Sequence, residues 1–233
     1  MRPFDLTSPA TVEAALASPG TFLAGGTNLV DLMKLNVLTP EHVTDINALP
    51  LRGIDTSDGL RIGALERMSD VAVALVALDA EIRLASPSGT RTVRLADFYR
   101  LPDDTPEVEN DLRPGELITE VVVPRLDWAR RSVYVKVRDR QSYEFAICSA
   151  AVALDIRDSR VADARVAVGG VATRPWRLES VEAALRGAPA TPEAFEDAAS
   201  VAAEGARPLS GNAFKVALLK RTVVRALIEG SRS

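Results

Sequence analysis

Apolar positions change period several times along the first third of the chain, and each change marks an element. Ser8-Pro9 opens a run of good helix formers, Thr11–Ala17, which Pro19-Gly20 closes, and a short strand precedes it. Thr21–Ala24 is a brief apolar run, read as a buried strand, that ends on Gly25-Gly26. Leu29, Leu32, Met33 and Leu35 then recur at helical spacing while Asp31 and Lys34 face elsewhere, which predicts a helix starting near Thr27 or Asn28. After Thr39-Pro40 the pattern predicts a strand over His42–Ile46, then a hairpin over Gly53–Gly63 that turns at Asp58-Gly59. Residues 1–66 thus read as a compact β-α-β-β unit.

Met68–Ala80 reads as an apolar helix centred on Val71–Leu78, with only Ser69-Asp70 as a cap. Strand signals follow: Ile82–Ala85 alternates, Pro87–Thr90 turns, and Arg91–Leu95 alternates again. A polar, proline-rich loop over 101–107 and a turn at Arg113–Glu116 lead into the β-rich Leu117–Val123. Beyond Pro124, Ser132–Arg138, Ala146–Arg157 and Arg165–Val171 are candidate strands of an antiparallel sheet. Val181–Leu185 and Pro192–Glu204 are helical, and Ala213–Ile228 is an amphipathic helix with Asn212 as its expected N-cap. The whole is an α+β chain with a boundary near 124–131: one domain over 1–124, with lobes 1–66 and 67–124, and a second over 131–233. No repeat of architectural length and no low-complexity tract interrupts it.

Composition narrows the function classes. With 233 residues, 47% hydrophobic and 26% charged, the chain has ample material for a core. A net charge of −4 argues against non-specific binding to nucleic acid or anionic membranes. The densest basic cluster (Arg130, Arg131, Lys136, Arg138, Arg140) reads as a solvated strand face. One cysteine, Cys148, in an apolar run, makes neither an internal disulfide nor a structural zinc site, and packs as a small hydrophobe. His42 is the only histidine, so no His pair or Ser/His couple is available. No catalytic side chain and no metal ligand set is expected; redox work here falls to a bound organic cofactor. No run reaches the roughly 18 apolar residues of a membrane span, and the N-terminus has no secretory h-region, so the expected location is cytoplasmic. Export in complex with a signal-bearing partner is compatible with that.

The segment richest in chemistry is Phe22-Leu-Ala-Gly-Gly-Thr-Asn-Leu29. Two glycines between a strand and a helix let the backbone approach a ligand, and amides at a helix start suit a diphosphate. The alternative is a tight strand-to-helix turn that binds nothing. It is neither a Rossmann fingerprint nor a Walker A loop.

The same segment, continuing to Lys34, resembles the first flavin-binding motif of the FAD subunits in the xanthine dehydrogenase and carbon monoxide dehydrogenase family, the bacterial aldehyde oxidoreductase medium subunits above all. Leu60–Leu65, Phe98–Pro102, Pro114–Val121, Tyr134–Ala146, Gly169–Arg177 and Asn212–Lys215 follow in the family's order. The resemblance implies a vanillyl-alcohol-oxidase-like (PCMH-type) FAD-binding domain and then a small α+β domain of the CO dehydrogenase flavoprotein type. It implies FAD as cofactor, an iron–sulfur subunit and a molybdopterin subunit as partners, and electron transfer through FAD to an acceptor. On its terms Phe22, Leu23, Ala24, Gly25, Gly26, Thr27, Asn28 and Leu29 wrap the diphosphate, and Ile118 packs on the flavin or adenine side. Lys136 approaches the isoalloxazine or ribityl chain; a plain core residue and an exposed strand lysine are the alternatives. Tyr143 and Glu144 lie near the flavin edge or serve packing.

One departure is large. Relatives carry a long segment between the strand ending near Leu65 and the helix at Val71–Leu78, with a second glycine-rich flavin motif and, in the aldehyde oxidoreductase branch, cysteines for a further cluster. Here Glu66–Ala72 runs straight into that helix, as if a deletion had joined two similar short stretches. The chain is therefore a shortened FAD domain. Two other readings follow: a cofactor-free structural or assembly subunit, and a stand-alone binder of phosphate ligands at Gly25–Leu29. The lost cover would leave an apolar face for a partner or a homo-oligomer.

Overall fold

The computed structural model describes residues 1–66, 71–102, 104–105, 108–129, 131–140 and 144–232. The chain folds as two compact units, one of Met1–Met68, Glu81–Val93 and Leu112–Val122, the other of Ser69–Ala80, Arg94–Asp111 and Val123–Ser233.

The first unit opens with β1 (Asp5–Thr7), α1 (Val12–Ala17), β2 (Thr21–Leu23), α2 (Leu29–Lys34) and β3 (His42–Asp45). Helices between the strands permit parallel pairing, and the sheet order is β1-β3-β2, with Leu6 opposite Val43 and Phe22 opposite Thr44. Thr11 caps α1: its hydroxyl accepts the Ala14 N–H at 3.1 Å, an interaction worth about 1 kcal/mol. Ala15 is fully buried against Ile46, Leu49, Leu65 and Leu117, with Phe22 at the border of that cluster.

The hairpin of β4 (Ile54–Asp55) and β5 (Leu60–Gly63) joins β6 (Glu81–Ser86), β7 (Gly89–Arg94) and β8 (Leu117–Val123) in a second sheet, ordered β4-β5-β8-β6-β7. Glu120 on the central strand accepts from Arg61 on one neighbour at 2.9 Å and Arg83 on the other at 2.5 Å, tying three strands together. Glu116 is buried and accepts from Arg91 at 2.6 and 2.8 Å and from the Arg113 N–H at 2.8 Å. The Arg91 hydrogen bonds outweigh the effect of burial and hold its carboxyl below the usual range.

The second unit is built on β9 (Arg131–Val137), β10 (Cys148–Arg157), β11 (Arg160–Gly169) and β12 (Trp176–Arg177), an antiparallel sheet ordered β12-β11-β10-β9. Alternate residues Cys148, Ala150, Val152 and Leu154 of β10 face one side. They pack with Phe195, Leu219, Val223 and Leu227 from helices α6 (Pro192–Ala199) and α7 (Phe214–Arg232), beside α5 (Glu179–Leu185). The other side carries Ser149, Ala151 and Ala153, small enough to admit α3 (Ala72–Ala77). A short α4 (Leu95–Phe98) completes the helices.

Ion pairs fasten α3 to that sheet. Asp79, just past its end, accepts from Arg177 at 2.8 Å and Arg165 at 2.9 Å, with Arg94 at 3.4 Å. Glu182 is buried and pairs with Arg177 while accepting the Val166 N–H at 2.8 Å. Burial would raise the Asp79 carboxyl, but the hydrogen bonds from Arg165 and Arg177 win and hold it below its ordinary value. Arg165 also lies over the Trp128 ring at 5.2 Å.

Several expected boundaries differ. β11 begins at Arg160, not Arg165, because Asp158 and Ser159 both take positive φ and make a tight hairpin turn without glycine. α6 stops at Ala199 rather than Glu204 and gives way to turns. The α3 helix is shorter than Met68–Ala80, and its expected Ser69-Asp70 cap lies outside the described residues. Asn212 does not cap α7 with its side chain; its carboxamide oxygen accepts the Leu209 N–H at 2.8 Å and shapes the loop before the helix.

Candidate functional site

The Phe22–Leu29 segment forms one continuous feature: the end of edge strand β2, an exposed loop, and the first residue of α2. Ligands of open α/β sheets bind outside the carboxyl ends of parallel strands, which is where this loop lies. Gly26 has φ +76°, and a Cβ there would sit 2.9 Å from the Val30 Cγ2, so the position demands glycine twice over. Gly25 differs. The nearest heavy atom to a Cβ there is the Thr27 Oγ1 at 3.9 Å, so the missing side chain leaves open space and not a packing contact.

The loop is pinned from behind. The Asn47 side-chain amide donates to the Ala24 carbonyl at 2.7 Å and to Asp45 at 2.8 Å, while the Asn47 N–H donates to Asp45 at 2.9 Å. The Ile46 N–H reaches the Leu23 carbonyl at 3.0 Å, and the Val30 N–H closes on the Gly26 carbonyl at 3.0 Å. Among the described residues, the N–H groups of Gly25, Gly26, Thr27 and Asn28 donate no hydrogen bond. Thr27 and Asn28 are exposed, and the Asn28 side chain makes no cap bond. Four backbone donors without a protein acceptor on a pinned loop suit an anion rich in acceptor oxygens. Sequence reasoning missed Asn47, whose signal is the Asp45-Ile46-Asn47 spacing just past a strand.

The other candidate residues belong to other elements. Ile118 is half-buried on β8 opposite Leu84. Its neighbour Leu117 packs in the cluster that Phe22 borders, so strand alternation turns Ile118 to the opposite face. Lys136 belongs to the second unit, on β9 opposite Ser149 and on the α3 side of its sheet. Tyr143 lies outside the described residues. Glu144 accepts the Arg140 N–H at 2.8 Å.

Shifted ionisations fall in structural places. Asp79 and Glu116 sit in arginine pairs, and burial pushes the Cys148 thiol up against partial relief from Thr222 and Lys215. Cys148 is fully buried in the core of the second unit. None of these groups adjoins the glycine loop in sequence, so the loop offers binding chemistry from its backbone and no acid or base.

Comparison with known proteins places both halves of the chain. Residues 2–71 and 65–126 match the FAD binding domain in molybdopterin dehydrogenase, and residues 133–229 match the CO dehydrogenase flavoprotein C-terminal domain. The aldehyde oxidoreductase FAD-binding subunit PaoB of Escherichia coli is 34% identical, with 93% of this chain and 94% of that protein covered. The glyceraldehyde dehydrogenase medium chain of Sulfolobus acidocaldarius is 32% identical, with 81% of each covered. Among solved structures, carbon monoxide dehydrogenase from Hydrogenophaga pseudoflava superposes with a TM-score of 0.86 at 26% identity, covering 98% of this chain and 97% of the other. Two details bear on the join. The two FAD-domain matches share residues 65–71. The E. coli alignment runs over 312 positions against 233 residues here, so the relative holds an internal stretch that this chain lacks.

Proposed function

The chain belongs to the FAD-binding medium subunits of the molybdenum hydroxylases, and on that premise we propose that it takes electrons from a partner's iron–sulfur clusters and passes them through FAD to an acceptor. It is an oxidoreductase subunit whose cofactor is FAD. The observation that carries the reading is the kinship itself, which spans both domains and nearly the whole chain. The open Gly25 position and the four N–H groups of Gly25–Asn28 that lack a protein acceptor support it, because they fit the diphosphate of that cofactor.

FAD, when bound, supplies the capacity to accept and release electrons one or two at a time. The residues of this chain bind and orient it. The Gly25–Asn28 amides would hold the diphosphate, Phe22, Leu23, Ala24 and Leu29 would shape the loop, and Ile118 and Lys136 would stand toward the ring system. No side chain of the loop has to move a proton. Hydroxylation of the substrate, an aldehyde or heterocycle, belongs to the molybdopterin partner, and an iron–sulfur partner lies between the two. The division into 1–124 and 131–233 is part of the same proposal. So is a cytoplasmic location; among the described residues, no helix is long and apolar enough to cross a membrane.

The test is to recover the tagged chain from its own cells. The reading expects iron–sulfur and molybdopterin polypeptides to co-purify with it, together with flavin that bleaches when an aldehyde substrate is added without air. A second reading, a cofactor-free structural subunit, is favoured by the missing internal stretch. It expects the same partners and no flavin.

A further inference from the structure

Two segments of the second unit, distant in sequence, converge on one place. Gly169–Arg177 runs from the end of β11 through the edge strand β12, and Asn212–Lys215 spans the start of α7. The Lys215 ammonium ties them together by donating to the Gly170 carbonyl at 2.7 Å. Residues of both segments line a cavity of about 230 Å³, and every residue of its lining belongs to the second unit.

The early end of α6 supplies another wall. The N–H groups of Ala202, Glu204 and Ala206 each reach back three residues, to the carbonyls of Ala199, Val201 and Ala203 at 3.0–3.1 Å, where an α-helix would reach back four. These turns put Ala202, Ala203 and Ala206 along the cavity, where larger side chains would fill it.

The lining is apolar on one side of its chemistry and one-signed on the other. Val171, Val216 and Leu219 are apolar, and Trp176, 38% exposed, adds an aromatic surface. The polar side chains all present donors. Asn212 spends its carboxamide oxygen on the Leu209 N–H at 2.8 Å, which leaves its NH2 group to donate. Lys215 commits one of its three N–H bonds to Gly170. Arg207 has no hydrogen-bond or ion-pair partner among the described residues. No carboxylate of the described residues lines the cavity; Glu204 lines a neighbouring hollow that shares Trp176 and Ala202.

An apolar hollow with an aromatic wall and three donors suits a ring that carries an anionic group. Its volume lies below the roughly 300–1,000 Å³ of pockets for drug-sized ligands, so it takes a single ring and not a dinucleotide. We propose that this cavity binds a small aromatic carboxylate of the benzoate class, its ring against Trp176 and its carboxylate on Arg207, Asn212 and Lys215. The site lies wholly in the second unit and is independent of the flavin reading.

The test follows Trp176 emission in the full chain carrying Trp128→Phe, since the sequence has two tryptophans. Benzoate, benzyl alcohol and inorganic phosphate are titrated in parallel. Benzoate should saturate with a dissociation constant at or below about 1 mM, within reach of a ligand of that size. Benzyl alcohol, a ring without charge, and phosphate, a charge without a ring, should each bind at least about tenfold more weakly. Arg207→Gln, at an exposed position, should weaken benzoate about tenfold and leave the melting temperature and the benzyl alcohol titration unchanged. Absence of saturation by benzoate below about 10 mM would overturn the proposal. So would phosphate binding as tightly as benzoate, or benzoate affinity untouched by Arg207→Gln. Should Trp128→Phe fail to fold, saturation-transfer NMR of benzoate on the unaltered chain and on Arg207→Gln decides in its place.

Discussion

Replacing Gly25 with valine separates binding from folding. A Cβ at this position meets nothing closer than the Thr27 Oγ1 at 3.9 Å, and the backbone there does not need positive φ. The folded state should therefore accept the valine with a stability change of no more than about 0.5 kcal/mol, typical of open surface sites. The added branches fill the space through which a phosphate would reach the Gly25 and Gly26 amides. Each charge-assisted hydrogen bond lost costs about 1.5–3 kcal/mol, a rise in dissociation constant of roughly ten- to a hundredfold per bond. The assay pairs a thermal melt with an FAD titration read by quenching of flavin fluorescence. An unchanged melt with FAD affinity also unchanged would refute the reasoning, because the ligand then does not use the loop's backbone.

Neighbouring Gly26 should behave in the opposite way. Its φ of +76° and the 2.9 Å approach to Val30 make Gly26→Ala destabilising by about 1–2 kcal/mol, visible as a lower melting temperature without any ligand. Glu182→Ala removes one partner of half-buried Arg177, which keeps Asp79, and orphans the Val166 N–H, so urea unfolding followed by Trp128 and Trp176 should show a loss of about 1–3 kcal/mol. A loss under about 1 kcal/mol would mean the pair is not buried as described. The carboxyls of Asp79 and Glu116 titrate below their ordinary values when folded, so their stabilisation is complete above those ordinary values, 3.8 and 4.5, and drains away as pH falls below them. Urea midpoints measured from neutral pH into acid should fall across that range, and Asp79→Asn should flatten the slope; an unaltered slope would contradict the assignment.

Local structure was legible from local chemistry. Ser8-Pro9 announced the approach to α1, Asp58-Gly59 the hairpin, and the spacing of Leu29, Leu32 and Met33 the helix behind the loop. The Gly25-Gly26 pair marked the loop, although on the residues alone a bare turn was the stronger reading. Less legible was whatever depended on distant partners. The α3 helix packs on the sheet of the second unit through Asp79, whose arginine partners stand 86 and 98 residues away along the chain. A turn built from Asp158 and Ser159 carries no glycine, so the true start of β11 gave no signal. Asn47, which holds the loop from behind, is an ordinary polar residue until the fold brings it 2.7 Å from Ala24.

The central claim is that this chain retains a flavin site on its glycine loop. The most direct test adds FAD to the purified chain at equilibrium and follows quenching of flavin fluorescence together with the visible spectrum. The account predicts saturation at one FAD per chain. A signal that stays linear and unsaturated, over a colourless and folded protein, would contradict it.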